Sequence, residues 1–161
     1  MFKHHLKTIA QLTLLIGVSS AFAGAYEDFF KSTVNDDART VEQLLVRGFD
    51  VNSRDEKGQN LLYLSQRDNA PNVAQVLLSH PDLRIDQPNN AGETPLMMAA
   101  LRDHDDWVSK MLDKGARIEG VVEPGQSGWT PLHYAAAAPG AKALQVLLAR
   151  GARVDARSPN G

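Results

Sequence analysis

His133 lies in the stretch GWTPLHYAA, next to Tyr134 and three residues after Thr130, so an imidazole, a phenol and a hydroxyl are close in sequence. Such groups can act as general base, proton donor and nucleophile. A near copy, GETPLMMAA, carries Met97 at the position of the histidine. Because the chain itself replaces this histidine, and no second catalytic group stands at a recognisable spacing, we expect His133 to be structural.

The densest group of potential metal ligands is the run Asp103, His104, Asp105 and Asp106. Carboxylate oxygens and an imidazole can bind a divalent cation when they converge. No further histidine or acidic pair completes a known ligand spacing, and Asp105 or Asp106 can cap a following helix. We therefore predict a solvated turn and no metal site, and a weak metal-responsive protein remains an alternative.

Other reactive patterns are missing from the sequence. The chain has no cysteine, so it has no disulfide, thiolate nucleophile or cysteine-bound metal, and it contains neither a nucleophile elbow nor a phosphate-binding glycine loop. Its 17 basic and 19 acidic residues include no long basic run, which disfavours nucleic acid as a partner. We predict a protein that is not an enzyme and uses no cofactor.

The first 23 residues have the features of an export signal. Lys3 and Lys7 precede the apolar run 9–18, and the small-residue motif Ala-Phe-Ala ends at Ala23. We expect cleavage after Ala23, because the apolar run is short for a membrane-spanning helix, although an uncleaved anchor remains an alternative. The lack of cysteine favours a bacterial periplasm over a disulfide-rich extracellular niche, with secretion as a second alternative.

After this segment one pattern recurs at a spacing near 33 residues. Within each block a step of 17 residues joins equivalent positions, for example Thr94 to Met111 and Thr130 to Leu147. We divide the chain into a signal peptide and four blocks, at 1–23, 24–57, 58–91, 92–127 and 128–161.

Each block has the composition of a helical hairpin. Thr94 and Thr130 are suited to cap a helix, and a proline follows each at the first helical position, where no amide hydrogen is needed. A second helix has apolar residues at helical spacing and ends at a glycine, such as Gly115 or Gly151, that allows a left-handed turn. The pattern therefore predicts an all-α chain of four hairpins.

The segments GETPLMMAA, GWTPLHYAA, MLDKGARIE and LLARGARVD resemble ankyrin repeats. The resemblance implies a solenoid of about four stacked helix-turn-helix repeats with projecting loops, following the N-terminal signal peptide. The first block, which lacks Thr-Pro-Leu, is expected to be the capping repeat. The last block runs into the start of a further repeat at Gly161, so we expect that the chain continues or that the last hairpin packs on another surface.

The resemblance also implies a protein partner, bound through the concave face and the loop tips. It places the contacting residues around each turn and after the paired alanines: Glu56, Lys57, Gln59, Gln66, Arg67, Asn90, Glu93, Arg102, Gln126, Ser127 and Trp129. We expect Trp129 either to anchor the partner or to pack on its neighbour, and Trp107 to join the core.

The long connection 118–127 serves either recognition or no function. We predict a scaffold in the cell envelope that protects or inhibits its partner, is monomeric alone and does not span the membrane after cleavage. The alternative is a structural repeat module of a longer protein.

Overall fold

Four helical hairpins make up the part of the chain that the computed structural model describes, residues 20–121 and 128–160, with side chains from Gly24 onward. The helices are α1 (Ser20–Val34), α2 (Ala38–Val46), α3 (Leu61–Arg67), α4 (Pro71–Ser79), α5 (Pro95–Leu101), α6 (Asp105–Asp113), α7 (Pro131–Ala136) and α8 (Lys142–Ala149). These residues form no strand; a single antiparallel bridge joins Arg54 and Asn60. The all-helical architecture is consistent with the predicted solenoid.

The first helix of the last three hairpins begins at a capping side chain. Thr94 and Thr130 each accept a hydrogen bond from the backbone amide three residues later, and a proline occupies the first turn, as predicted. Asn60, which replaces the threonine in the second hairpin, accepts the equivalent bond from Tyr63 at 2.8 Å. The departure from Thr-Pro therefore keeps the cap, because an amide oxygen serves as well as a hydroxyl.

The helices form two layers. The inner helices α1, α3, α5 and α7 pack in a row, and the outer helices pack as the pairs α2 with α4 and α6 with α8. The core between the layers consists of large buried side chains, among them Phe29, Leu61, Leu62, Leu77, Leu96, Met111 and Leu147. Each hairpin thus buries its apolar faces mainly against its neighbours, as in other repeat stacks.

Equivalent side chains join each repeat to the next. Asn52 accepts a hydrogen bond from the Arg84 amide at 2.7 Å, and Asp86 accepts one from the Arg117 amide at 3.0 Å. Glu119 continues the series by accepting from the backbone amide of residue 153 at 2.8 Å. We call these three bonds the inter-repeat ladder. Because each bond uses one position in each repeat, the ladder fixes the register between neighbouring hairpins.

A second link connects the turn between two helices to the outer helix of the following repeat. Asp36 accepts a hydrogen bond from the Val73 amide at 2.9 Å, and Asp103 accepts one from the Ala143 amide at 2.8 Å. Each amide lies in the first turn of its helix, where the helix itself provides no acceptor. These carboxylates therefore cap helices of the neighbouring repeat.

One expectation for this region needs correction, and another is met in part. Neither Asp105 nor Asp106 caps α6, because the helix already begins at Asp105 and its N-cap residue is His104, which makes no side-chain capping bond. Trp107 packs against the core but is only partly buried, and the Lys110 ammonium lies 4.2 Å from the centre of a Trp107 ring. Its indole thus combines core packing with a cation–π contact at the surface.

The positions with a left-handed backbone are occupied by residue types that tolerate a positive φ. Gly115 and Gly151 end outer helices with φ values of 94° and 88°. Asp103 has a φ of 56°, a conformation that aspartate and asparagine tolerate better than other side chains. The predicted signal segment before Ser20 lies outside the described residues, so its cleavage remains a prediction. None of the described helices combines the length and apolar character needed to cross a bilayer.

Candidate binding surface

The predicted contact residues at the loop tips are linked to one another. Glu56, Lys57 and Asn90 are exposed. The Asn90 amide donates to the Lys57 carbonyl at 3.1 Å, and the Asn90 side chain donates to the Glu56 carbonyl at 3.3 Å. The tips of two successive loops therefore form one joined surface, with their charged side chains at its edge.

Gln59 and Gln66 are not at the surface, which differs from the sequence-based expectation. Gln66 is 1% exposed, and its Oε1 lies 3.1 Å from Nδ1 of His104 in the next repeat. Gln59 is 9% exposed, and its Oε1 accepts from Arg67 Nη1 at 2.8 Å. The Gln66 contact joins two neighbouring repeats, whereas the Gln59 bond lies within the second repeat.

Arg67 is half-buried and already paired. Its guanidinium donates to the Asp68 carboxylate, with the shortest contact at 2.6 Å, and this hydrogen bond is the main cause of its raised pKa. The rest of the side chain borders an open, mainly apolar groove of about 270 Å³ between the first two repeats, lined also by Phe30, Val34 and Leu64. Arg67 thus contributes surface to the groove more than free charge.

Arg102 follows α5 as its C-cap residue and is exposed. The neighbouring His104 is partly buried, and desolvation, followed by the positive charge of Arg102, lowers its pKa. At neutral pH the imidazole is therefore largely uncharged, which suits its contact with Gln66.

Glu93 is the most highly organised of the predicted contact residues. Its carboxylate accepts hydrogen bonds from Tyr63 at 2.7 Å, from the Asn89 side chain at 2.7 Å and from Tyr134 at 2.8 Å. Burial raises the pKa of Glu93, but these three hydrogen bonds together outweigh burial and lower it below its ordinary value. Burial, followed by the bond to Glu93, raises the pKa of both phenols. An ionised carboxylate is thus fixed between the second and fourth repeats.

Trp129 is 48% exposed, and the edge of its ring meets His133 at a centroid distance of 5.5 Å. One part of the indole therefore packs on its own repeat and another part remains open, while anchoring of a partner stays a prediction. Gln126 and Ser127, together with most of the long connection before Trp129, lie outside the described residues.

His133 takes part in helix capping. Its Nδ1 accepts the Thr130 backbone N–H at 3.2 Å, while the amide of His133 donates to the Thr130 hydroxyl. In the third repeat the sulfur of Met97 accepts the Thr94 N–H at 3.4 Å, in the same arrangement. Because each side chain provides an acceptor at the same place, we expect the two to be interchangeable.

The acidic run also has structural contacts, since Asp103 caps α8 and His104 faces Gln66. Within residues 20–121 and 128–160, no three His, Asp or Glu side chains converge closely enough to hold a metal ion.

The two tyrosines around Glu93 and the apolar groove were not predicted. Tyr63 and Tyr134 lie on α3 and α7, in the repeats before and after that of Glu93. A register comparison of the blocks could have indicated phenols on both sides of this carboxylate, although not its three hydrogen bonds.

Comparison with known sequences agrees with this architecture. A family model for three copies of the ankyrin repeat matches residues 30–121, and the model for the single repeat matches residues 127–159. The chain belongs to the ankyrin-repeat family. Ankyrin-repeat domains are typically non-catalytic modules that mediate protein–protein interaction.

A segment of this ankyrin-repeat protein is similar to a much longer one. Over 73 residues it is 34% identical to a protein named poly [ADP-ribose] polymerase tankyrase from Caenorhabditis elegans. The match covers 44% of this chain and 3% of that protein. The similarity concerns repeats, and no activity is transferred by a match of this extent.

Proposed function

We propose that this ankyrin-repeat protein is exported to a bacterial periplasm, where it binds another protein through its concave face and loop tips and protects or inhibits it. By concave face we mean the surface of the inner helices α1, α3, α5 and α7 with the residues that directly precede and follow them. The observation that carries the proposal is the exposed part of Trp129, one repeat beyond the fixed carboxylate of Glu93. A large ring of this kind is a typical interface anchor.

The stack supports binding by holding these groups in place before a partner arrives. The inter-repeat ladder and the capping carboxylates Asp36 and Asp103 fix neighbouring repeats relative to one another. Less conformational entropy is then lost on binding, which favours affinity.

The test is affinity capture from a bacterial envelope extract with the chain from Gly24 onward. The bait is compared with Trp129→Ala and Arg102→Glu, and with Val46→Ala as a matched control, because Val46 is 83% exposed on outer helix α2. We expect one stoichiometric partner that is retained by the control and reduced by both concave-face variants. Equal capture by all four proteins would contradict the assignment of the surface.

Export is tested separately. The N-terminal residue of the protein recovered from the periplasmic fraction should be Gly24, as cleavage after Ala23 requires. Recovery of the chain with Met1 in the membrane fraction would instead support the uncleaved anchor.

A structural role in a longer protein is the second candidate, favoured by the exposure of Val154. This side chain is 80% exposed, whereas the equivalent Val51 of the first repeat, which a second repeat follows, is 2% exposed. A further hairpin would cover Val154 in the same way. The intact mass of the natural product distinguishes the candidates, because a further repeat adds about 33 residues.

A further inference from the structure

The charge of the Glu93 carboxylate has no cationic partner within the described part of the chain. Its three hydrogen-bond donors, Tyr63, Asn89 and Tyr134, are all neutral, and no lysine, arginine or histidine nitrogen there forms an ion pair with it. Arg67, the cation whose charge acts on Tyr63, is paired with Asp68. Among the described residues, this negative charge is therefore held in place without a cation that neutralises it.

We propose that Glu93 forms a subsite for a cationic side chain, lysine or arginine, of the bound protein. This inference rests on the proposed function, since it names the chemistry that a partner presents to the concave face. Charge complementarity across an interface mainly provides specificity and faster association.

The hydrogen bonds of Glu93 leave room for such a donor. Tyr63 and Asn89 both donate to Oε2, whereas Tyr134 alone donates to Oε1. A carboxylate has about four acceptor positions, so one remains at Oε1. The remaining position suits one N–H of an ammonium or guanidinium group.

The neutral donors also make the subsite rigid without competing for it. Tyr63 and Tyr134 hold the carboxylate from two different repeats, so that its position depends on the stack and not on one flexible loop. Because the carboxylate is already positioned and partly desolvated, little further free energy is spent on ordering and desolvating it when a cation binds. Positioning by an internal lysine would have neutralised it instead.

Trp129 extends the subsite along the concave face. Glu93 and Trp129 directly precede the capping residues Thr94 and Thr130, so they occupy equivalent positions in adjacent repeats. Packed helices lie about 10 Å apart, which is within the reach of neighbouring side chains on one bound segment. The partner segment we propose therefore presents a basic residue to Glu93, with its adjoining surface against Trp129.

The subsite is tested without a natural partner by ¹⁵N–¹H NMR titration of the purified chain. The probes are N-acetyl-arginine methylamide and N-acetyl-lysine methylamide, with N-acetyl-citrulline methylamide as the neutral isostere of arginine. We expect both cations to shift the amides of Gly92, Glu93 and Thr94, and the citrulline compound to leave them unchanged. Glu93→Gln should abolish the shifts, whereas Glu42→Gln, an exposed carboxylate on α2, should retain them.

Three outcomes would overturn the proposal: equal shifts with citrulline, shifts that survive in folded Glu93→Gln, or no shifts with either cation in large excess. If Glu93→Gln fails to fold, as judged by circular dichroism, the comparison of arginine with citrulline on the unchanged chain still decides. The double variant Tyr63→Phe, Tyr134→Phe keeps the charge but loses two fixing bonds, and we expect it to weaken the shifts.

The result is separable from the proposed function. A captured partner that needs Trp129 but is indifferent to Glu93→Gln would refute the subsite and leave the binding function intact. Binding of the cationic probes without any captured protein would support the subsite and count against the proposed binding function.

Discussion

Replacing Asp103 by alanine tests whether capping between repeats stabilises the stack. Two losses add in this variant. The Ala143 amide loses its acceptor, which for a capping residue costs about 1 kcal/mol, and alanine must adopt the left-handed backbone of this position, which costs about 1 kcal/mol more. We therefore expect Asp103→Ala to lower the free energy of unfolding by about 2 kcal/mol.

The turn between α3 and α4 provides a matched control. Asn69 has a φ of 55°, close to the 56° of Asp103, but within the described residues its side chain caps no helix of the next repeat. Asn69→Ala should therefore lose only the backbone term, about 1 kcal/mol. Asp103→Asn keeps an acceptor and tolerates the backbone, so its loss should be smaller than that of Asp103→Ala.

The assay is urea unfolding followed by circular dichroism, with the free energy extrapolated to water. The informative quantity is the difference in the free energy of unfolding between the two variants: Asn69→Ala should be about 1 kcal/mol more stable than Asp103→Ala. If the two variants lose the same stability, capping by Asp103 contributes nothing measurable and the reasoning fails. Native-like far-UV spectra of both variants are required for the comparison.

Three further predictions concern single residues. His133→Ala should lose about 1 kcal/mol in the same urea assay. His133→Met should lose clearly less than His133→Ala, because Met97 makes the same contact in its own repeat. Gly115→Val should cost about 2 kcal/mol, since a β-branched residue disfavours a φ of 94°, and unchanged stability would contradict the left-handed terminus. Folding lowers the pKa of Glu93, so the ionised carboxylate stabilises the protein above its ordinary pKa of 4.5, and this stabilisation is lost as the pH falls through the pKa of the folded state. Below about pH 4.5, the urea midpoint of Glu93→Gln should therefore fall less steeply with pH than that of the unchanged protein.

Repeated local chemistry made the architecture predictable from the sequence. Thr94 with its proline marks the start of one helix, and Gly115 marks the end of another. Such short-range signals do not depend on the rest of the fold. The role of His133 was also accessible, because the copy with Met97 provided a substitution within the chain. These inferences needed only the register of the repeats.

The fate of individual polar residues was less predictable. Gln66 follows the inner-helix pattern of a surface residue, yet it is buried because His104 of the next repeat lies over it. Asp103 belonged to the run considered as a possible metal site, and its actual partner is an amide 40 residues away. Such contacts depend on how two repeats are docked, which a single repeat does not encode.

The position directly before each capping residue connects the scaffold with its proposed function. In successive repeats it is occupied by Gln59, Glu93 and Trp129, whose backbone places them in one row. Gln59 turns inward and bonds Arg67, Glu93 is fixed by two tyrosines, and Trp129 is half-exposed. The ladder and the capping carboxylates use other positions, so they continue to hold the register when a side chain in this row changes. Glu93 differs from the other two in that it also bonds tyrosines of both neighbouring repeats. Recognition by this protein is therefore expected to vary with one residue per repeat, while stability depends on the residues that join the repeats.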